Sequence, residues 1–234
     1  MNEYLHTLKY QLMATEGLEG EKLSQRIEGK DWPSDNAITM IGEKRLDNIV
    51  DCITQIQKDN VQGDLIECGV WRGGASVFMK AALNELSMSR KVFVADSFCG
   101  FQKKNELRFD IDKGANFLDA KELAVSKDEV KKNFEKYKLL DENVVFIEGF
   151  IENTLPSFTA SLSLVRLDMD LYGPTLMALE YLYDKLSIGG FVIIDDYTSM
   201  LCCITAVEHF RQRHNVTEKI HMIDHTGAYW RKGR

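Results

Sequence analysis

Two short stretches of this chain end in the same way. "LSLVRLDMD" (162 to 170) is an apolar run, broken by Ser163 and Arg166, that ends in Asp168 and Asp170. "GGFVIIDDY" (189 to 197) ends in Asp195 and Asp196. Both have the length and β-branched content of a buried strand, so each sets carboxylates at a strand's carboxyl end. If the two strands are neighbours, like charges a few ångström apart raise one another's pKa and resist ionisation. A divalent cation relieves that conflict, and a set of oxygen ligands selects a hard ion, Mg²⁺ or alternatively Mn²⁺, over Zn²⁺. The rival reading is that one acid of each pair caps the following helix, as Asp170 before "LYGPTLMALE" could.

Three further runs read as buried strands: "DLIECGV" (64 to 70), "KVFVADS" (91 to 97) and "VVFIEGF" (144 to 150). In a parallel sheet their ends add Glu67, Asp96 and Glu148 to the same crevice. Asp96, ending the second strand, is where a carboxylate accepts from ribose hydroxyls, as in nicotinamide and S-adenosylmethionine binders. In "IECGVWRGGAS", Gly69, Gly73 and Gly74 permit a tight turn, but they do not match G-x-G-x-x-G. Glu67 would repel a pyrophosphate and suits a cationic ligand, such as the amino group or sulfonium of S-adenosylmethionine.

The positioning elements follow from periodicity. "EKRLDNIVDCITQIQ" (43 to 57) aligns Leu46, Ile49, Val50, Ile53 and Ile56 on one helical face. Helices are also predicted after "GG" at 73, over 126 to 140 with a Ser126/Glu129 capping-box pattern, over 175 to 186 and over 203 to 214. Near-continuous apolar strands alternating with helices imply a parallel sheet covered on both faces. "EKIHMID" (218 to 224) and "AYWRK" (228 to 232) have no helix between them and read as an antiparallel edge hairpin. Residues 1–60 read as helices joined by a turn around "GKDWPSDNAITM". Residues 61–234 form the α/β unit. Residues 98–125 are long for a strand-to-helix connection and sit where such sheets bind ligands, so they are read as a lid.

With 234 residues and 44% hydrophobic content, one large domain can bury a substantial core. The net charge of -7 disfavours a nucleic-acid partner. No apolar run nears the roughly 20 residues that cross a bilayer, and the amino-terminal stretch lacks a signal-peptide pattern. Five cysteines, Cys52, Cys68, Cys99, Cys202 and Cys203, without a C-x-x-C pair, suit reduced thiols in the cytoplasm. A nucleophilic Cys99 is weighed against an idle thiol. His209 and His214 fall on a helix flank, and His221 and His225 straddle a strand end, so no histidine pair is read as a metal site.

"IECGVWRGGASVFM", "VFVADSFCGF", the stretch from "LAVSKDEV" to "ENTLP", "LVRLDMDLYGPTLMALEYLYDKLSIGGFVIIDDY" and "TGAYWRK" together resemble the macrocin O-methyltransferase family over roughly residues 43 to 232. The acidic pattern is more distantly similar to that of catechol-type O-methyltransferases. The resemblance implies a class I methyltransferase (Rossmann-like) fold: a seven-stranded, mostly parallel sheet with an antiparallel carboxy-terminal hairpin and added amino-terminal helices. It implies S-adenosylmethionine and Mg²⁺, and methyl transfer to a hydroxyl of a small natural product, on a sugar, polyketide or peptide. It also implies that Glu67 and Gly69 line the methionine end of the cofactor, Asp96 and Ser97 the ribose, and Gly149, Phe150, Ile151 and Glu152 the adenine side. Asp168, Asp195 and Asp196 match metal ligands, Asp168 being also catalytic, and Asp170 matches a general base. The catechol-type enzymes carry a lysine where this chain has Leu171. A homodimer or larger homo-oligomer, with 1–60 contributing contacts, and a place within a larger synthase are further expectations. The alternatives are an NAD(P)-dependent oxidoreductase, disfavoured by Glu67 and the missing glycine motif, a non-catalytic nucleotide-binding module, and a metal-dependent hydrolase.

Overall fold

In a computed structural model, which describes residues 3–31 and 36–233, the apolar runs form the strands of one sheet. They are β1 (Asp64–Cys68), β2 (Val92–Asp96), β3 (Val144–Glu148), β4 (Leu162–Leu167) and β5 (Leu186–Ile194), with β6 (His221–Met222) and β7 (Ala228–Arg231) completing it. The order is β3-β2-β1-β4-β5-β7-β6. β1 to β5 pair in parallel, and β7 runs antiparallel to both β5 and β6. This is the expected seven-stranded arrangement with its terminal hairpin, the class I methyltransferase fold. The strand order reverses at β1, whose neighbours are β2 and β4, and ligands of open α/β sheets bind at such a switch point.

The two-residue period of the strands divides the core. Leu65, Val92, Val94, Leu164, Phe191 and Ile193 face one layer; Ile66, Phe93, Ala95, Val165, Leu167, Val192 and Ile194 face the other. The first face is covered by α1 (Glu3–Leu12), α3 (Glu43–Lys58), α4 (Gly74–Glu85) and α5 (Lys127–Lys136); the second by α6 (Ile151–Thr154), α7 (Tyr172–Leu182) and α8 (Leu201–Arg213). α2 (Gly20–Ile27) contributes no residue to either cluster; its buried Arg26 donates to Met13 O at 2.8 Å and pairs with Asp31. Among the described residues no helix is long and apolar enough to cross a membrane.

Several boundaries depart from the periodicity; the strand expected over 218 to 224 is reduced to His221–Met222, and the helix expected over 203 to 214 runs Leu201–Arg213. The helix expected over 175 to 186 starts earlier, at Tyr172, and ends at Leu182; a single 3-10 turn then leads directly into β5. β5 starts at Leu186, because Gly189 and Gly190 are carried inside the strand. Leu162 pairs with Leu186 but Leu164 with Phe191, so β5 bulges between them and the glycines occupy the bulge. The helix expected to reach residue 140 stops at Lys136, although Ser126 does cap it, accepting from Glu129 N at 3.2 Å. The turn predicted around "GKDWPSDNAITM" includes 32–35, which lie outside the described residues.

Leu5, Leu8, Leu12 and Met13 join the same apolar cluster as α3 and α4, and Lys9, 3% exposed, pairs with Glu43 at 2.6 Å and Asp47 at 2.8 Å on α3. The first helix is therefore part of the main core. Leu8→Ala is expected to lower the single unfolding free energy by about 2–5 kcal/mol. Urea denaturation followed by both tryptophan fluorescence and far-ultraviolet circular dichroism tests this; an unchanged main transition would detach α1 from the core.

Candidate functional site

The carboxyl ends of β1, β2 and β4 converge because Gly69 lets them. Its φ is +78°, and a Cβ there would lie 1.8 Å from Asp168 O. Gly69 N donates to Ala95 O at 2.9 Å, and Asp168 N donates to Cys68 O at 2.9 Å. The three strand ends are thus stitched together where Asp96 and Asp168 leave the sheet. Asp96 accepts from Val70 N and Phe98 N, both at 2.8 Å, one on each carboxylate oxygen. Burial nevertheless holds its pKa above the ordinary aspartate range.

Below the strand ends lies a buried ionic chain that the sequence reading did not anticipate. Glu67 and Arg166 are register partners on adjacent strands, each 1% exposed. Arg166 pairs with Glu67 through Nη1 and with Asp195 through Nη2, and Nη1 also reaches Asp168 at 3.1 Å. The other oxygen of Asp195 accepts from Arg45 on α3, whose Nε pairs with Asp224 at 2.9 Å. The second oxygen of Glu67 accepts from Ser76 on α4. All of these groups occupy the face covered by α3 and α4. Glu67 was expected against the cofactor. It does not line the cavity described below, because both of its oxygens are satisfied within the sheet layer. The excess of acid is thus balanced in part by two arginines and not by a cation alone.

The remaining acids are less well compensated. Asp168, Asp195 and Asp196 each present an oxygen, and all three oxygens lie within 4.8 Å of one another. Burial, reinforced by Asp195 next door, lifts Asp168 well above the usual carboxylate range; burial and Asp170 do the same to Asp196. Asp170 is pushed up to about 7 by burial and then by Asp168. Its backbone is left-handed, φ +57°, a conformation that aspartate tolerates better than most residues. Three converging carboxylate oxygens, whose repulsion the arginines at Asp195 and Asp168 relieve only in part, fit a hard divalent cation by donor chemistry. Glu148 stands apart: it is exposed and paired with Lys127.

An open cavity lies over the switch point. Of the residues singled out in the sequence, Gly69, Asp96, Ser97, Gly149, Phe150, Ile151, Glu152, Asp168 and Asp170 line it. Asp195 and Asp196 do not, lying beside Asp168 toward β5. Gly100, Phe101, Gln102, Leu107 and Leu123 of the 98–125 segment line it too, as do Met40, Trp71, Met169, Leu171 and Pro174. Trp71 Nε1 donates to Glu122 O at 2.8 Å, and Gln102 bonds Glu152, so the long segment is tied to both sides. Arg166 had a visible signal, a cation inside an apolar strand; Arg45 and Trp71 had none, since each sits in an unremarkable local pattern. All five cysteines are free, and Cys99 is exposed but does not line the cavity. His209 and His214 are exposed on α8, contacting Tyr172 and Glu180.

Comparison with known proteins bears on what this site does. The macrocin-O-methyltransferase (TylF) family model matches residues 2–232. Demethyldecarbamoylnovobiocin O-methyltransferase of Streptomyces niveus is 44% identical over 212 residues, covering 89% of this chain and 80% of that protein. The 8-demethyl-8-(2,3-dimethoxy-alpha-L-rhamnosyl)-tetracenomycin-C 4'-O-methyltransferase of Streptomyces olivaceus is 46% identical over 209 residues, covering 88% and 79%. The solved structure of the O-methyltransferase NovP matches with a TM-score of 0.93 at 40% identity, covering 99% of this chain and 98% of that one.

The ionic chain has a measurable consequence. Arg166→Met leaves Glu67 and Asp195 buried with a cation removed, and the expected cost is about 3–5 kcal/mol in denaturant unfolding. Adding Glu67→Gln should restore part of it, giving a coupling energy of about 1 kcal/mol or more in a double-mutant cycle. Strict additivity of the two losses would show that the pair does not act as a unit.

Proposed function

The chain belongs to the macrocin-O-methyltransferase family, and from that membership we propose which of its side chains carry methyl transfer from S-adenosylmethionine to a hydroxyl of a small natural product. The observation that supports the assignment is a cavity at the switch point lined by Asp96, Asp168 and Asp170 together.

Asp96, already held by the amides of Val70 and Phe98 at the cavity wall, would accept from the ribose hydroxyls. Gly69 presents bare backbone to the methionine end. Gly149 to Glu152 flank the adenine, with Gln102 of the long segment reaching Glu152. Glu67 serves the site from behind: it fixes Arg166, and Arg166 fixes Asp195. Asp168, Asp195 and Asp196 would hold Mg²⁺, which when bound lowers the pKa of a coordinated hydroxyl and orients neighbouring oxygens.

Transfer is an in-line displacement, in which the oxygen–methyl bond forms as the sulfonium–methyl bond breaks. The chain's task is to hold the two substrates in line and keep water out. Asp170, facing the cavity one residue before Leu171, takes the hydroxyl proton. Leu171 and Pro174 supply an apolar wall for the acceptor. The segment 98–125 acts as the lid. The acceptor named for the Streptomyces olivaceus relative, a rhamnosyl-tetracenomycin, supports a sugar hydroxyl on a larger body as the acceptor here.

Calorimetric titration with S-adenosylhomocysteine, with NAD as control and with and without Mg²⁺, tests the binding assignments. The homocysteine product is expected to bind at micromolar concentration and NAD not to bind. Asp96→Ala should weaken it about tenfold or more, which is about 1.4 kcal/mol. NAD binding in its place would remove the cofactor assignment. Separately, Mg²⁺ is expected to raise the thermal midpoint of the parent protein and not that of Asp196→Asn. An equal rise in both would take Asp196 out of the metal site.

A further inference from the structure

The first turn of α7 has exposed amides to satisfy, and its own sequence cannot do it. The residue before the helix is Leu171, which offers no side-chain acceptor. The acceptor comes instead from Asp112, 60 residues earlier and inside the 98–125 segment. Asp112 is 1% exposed. Its two oxygens accept separately, from Tyr172 N at 2.6 Å and from Gly173 N at 2.8 Å. A carboxylate is the favoured partner for helix amino-terminal amides. The surroundings are shaped for this contact. A Cβ on Gly173 would come within 2.8 Å of Phe109 and 3.0 Å of Asp112 Oδ2. Phe109 packs edge-on against Tyr172, with ring centroids 5.0 Å apart.

The same turn of α7 also faces the cavity. Asp170 and Leu171 precede it, Pro174 lies within it, and all three line the cavity wall. We propose that Asp112 is a positioning residue: by capping α7 across the chain it latches the 98–125 segment shut, and the same two hydrogen bonds fix the Asp168–Leu171 loop that meets the acceptor. The inference rests on reading 98–125 as the lid of the methyltransferase site. Opening the segment uncaps α7, so substrate entry and loop order are coupled through one carboxylate.

Hydrogen exchange read by mass spectrometry tests this without an acceptor. The segment 105–118 and the segment 170–176 are followed, with α8 as an internal reference. Asp112→Ala is expected to speed exchange about tenfold in both segments and leave α8 unchanged. Asp112→Asn keeps one oxygen acceptor but turns an NH2 toward the second amide, so it should restore only part of the protection, whereas the exposed lid acid Asp119 should be replaceable by Ala without effect. Gly173→Ala, which removes no group but obstructs the contact, should reproduce the Asp112→Ala pattern; it decides the matter if Asp112→Ala loosens the whole protein. Unchanged exchange in both segments, or a change confined to 105–118, overturns the latch. S-adenosylhomocysteine added to the parent protein should slow exchange across 98–125. Lack of that slowing would count against the lid reading alone, since the variant comparison is made without ligand.

Discussion

A guanidinium with almost no access to water sits in the middle of a parallel sheet. Arg166 can be there only because Glu67 lies across the β1–β4 register and Asp195 lies at the end of β5. Removing either partner from such a site is far costlier than never having built it. The consequence is geometric. Three strands are locked in register by charge as well as by backbone bonds, and the oxygens of Asp195 are aimed before any ligand arrives. Arg45 extends the lock to α3, and Asp224 extends it to the terminal hairpin.

The acids of the site therefore divide into two groups. Glu67, Asp195 and Asp224 are committed to arginines and act as framework. Asp96, Asp168, Asp170 and Asp196 stand at the exits of the strands with fewer cationic partners, and burial raises the pKa of each. Carboxyl groups raised in this way cluster at functional sites. Asp195 belongs to both groups, bridging the framework and the three-oxygen cluster.

Much of this was legible in the sequence. Buried parallel strands are continuous apolar runs, and their carboxyl ends carry the site, so Asp96, Asp168 and Asp170 could be placed from pattern alone. The hairpin was visible because two short runs had no helix between them. The bulge in β5 was not, because "GG" before an apolar run reads as a turn, and only pairing with β4 shows the glycines inside the strand. Glu67 was read toward the ligand because its position in the strand is fixed by pattern but its partner is not. Which cation meets a buried acid is a property of the neighbouring strand and the covering helix. Asp112 was hidden for a similar reason: a cap supplied from 60 residues away leaves no local signature.

The contact between Arg45 and Asp224 joins residues 179 apart in the chain. It also has a bearing on how the protein comes into being. During synthesis from the amino end, α3 and β1 emerge long before β7, which must then take its place between β5 and β6. Until that happens Arg45 lacks one of its two acids, and Asp195 is held by a clamp with one side loose. The charges around Asp195 are thus complete only once the carboxy-terminal hairpin has docked against α3.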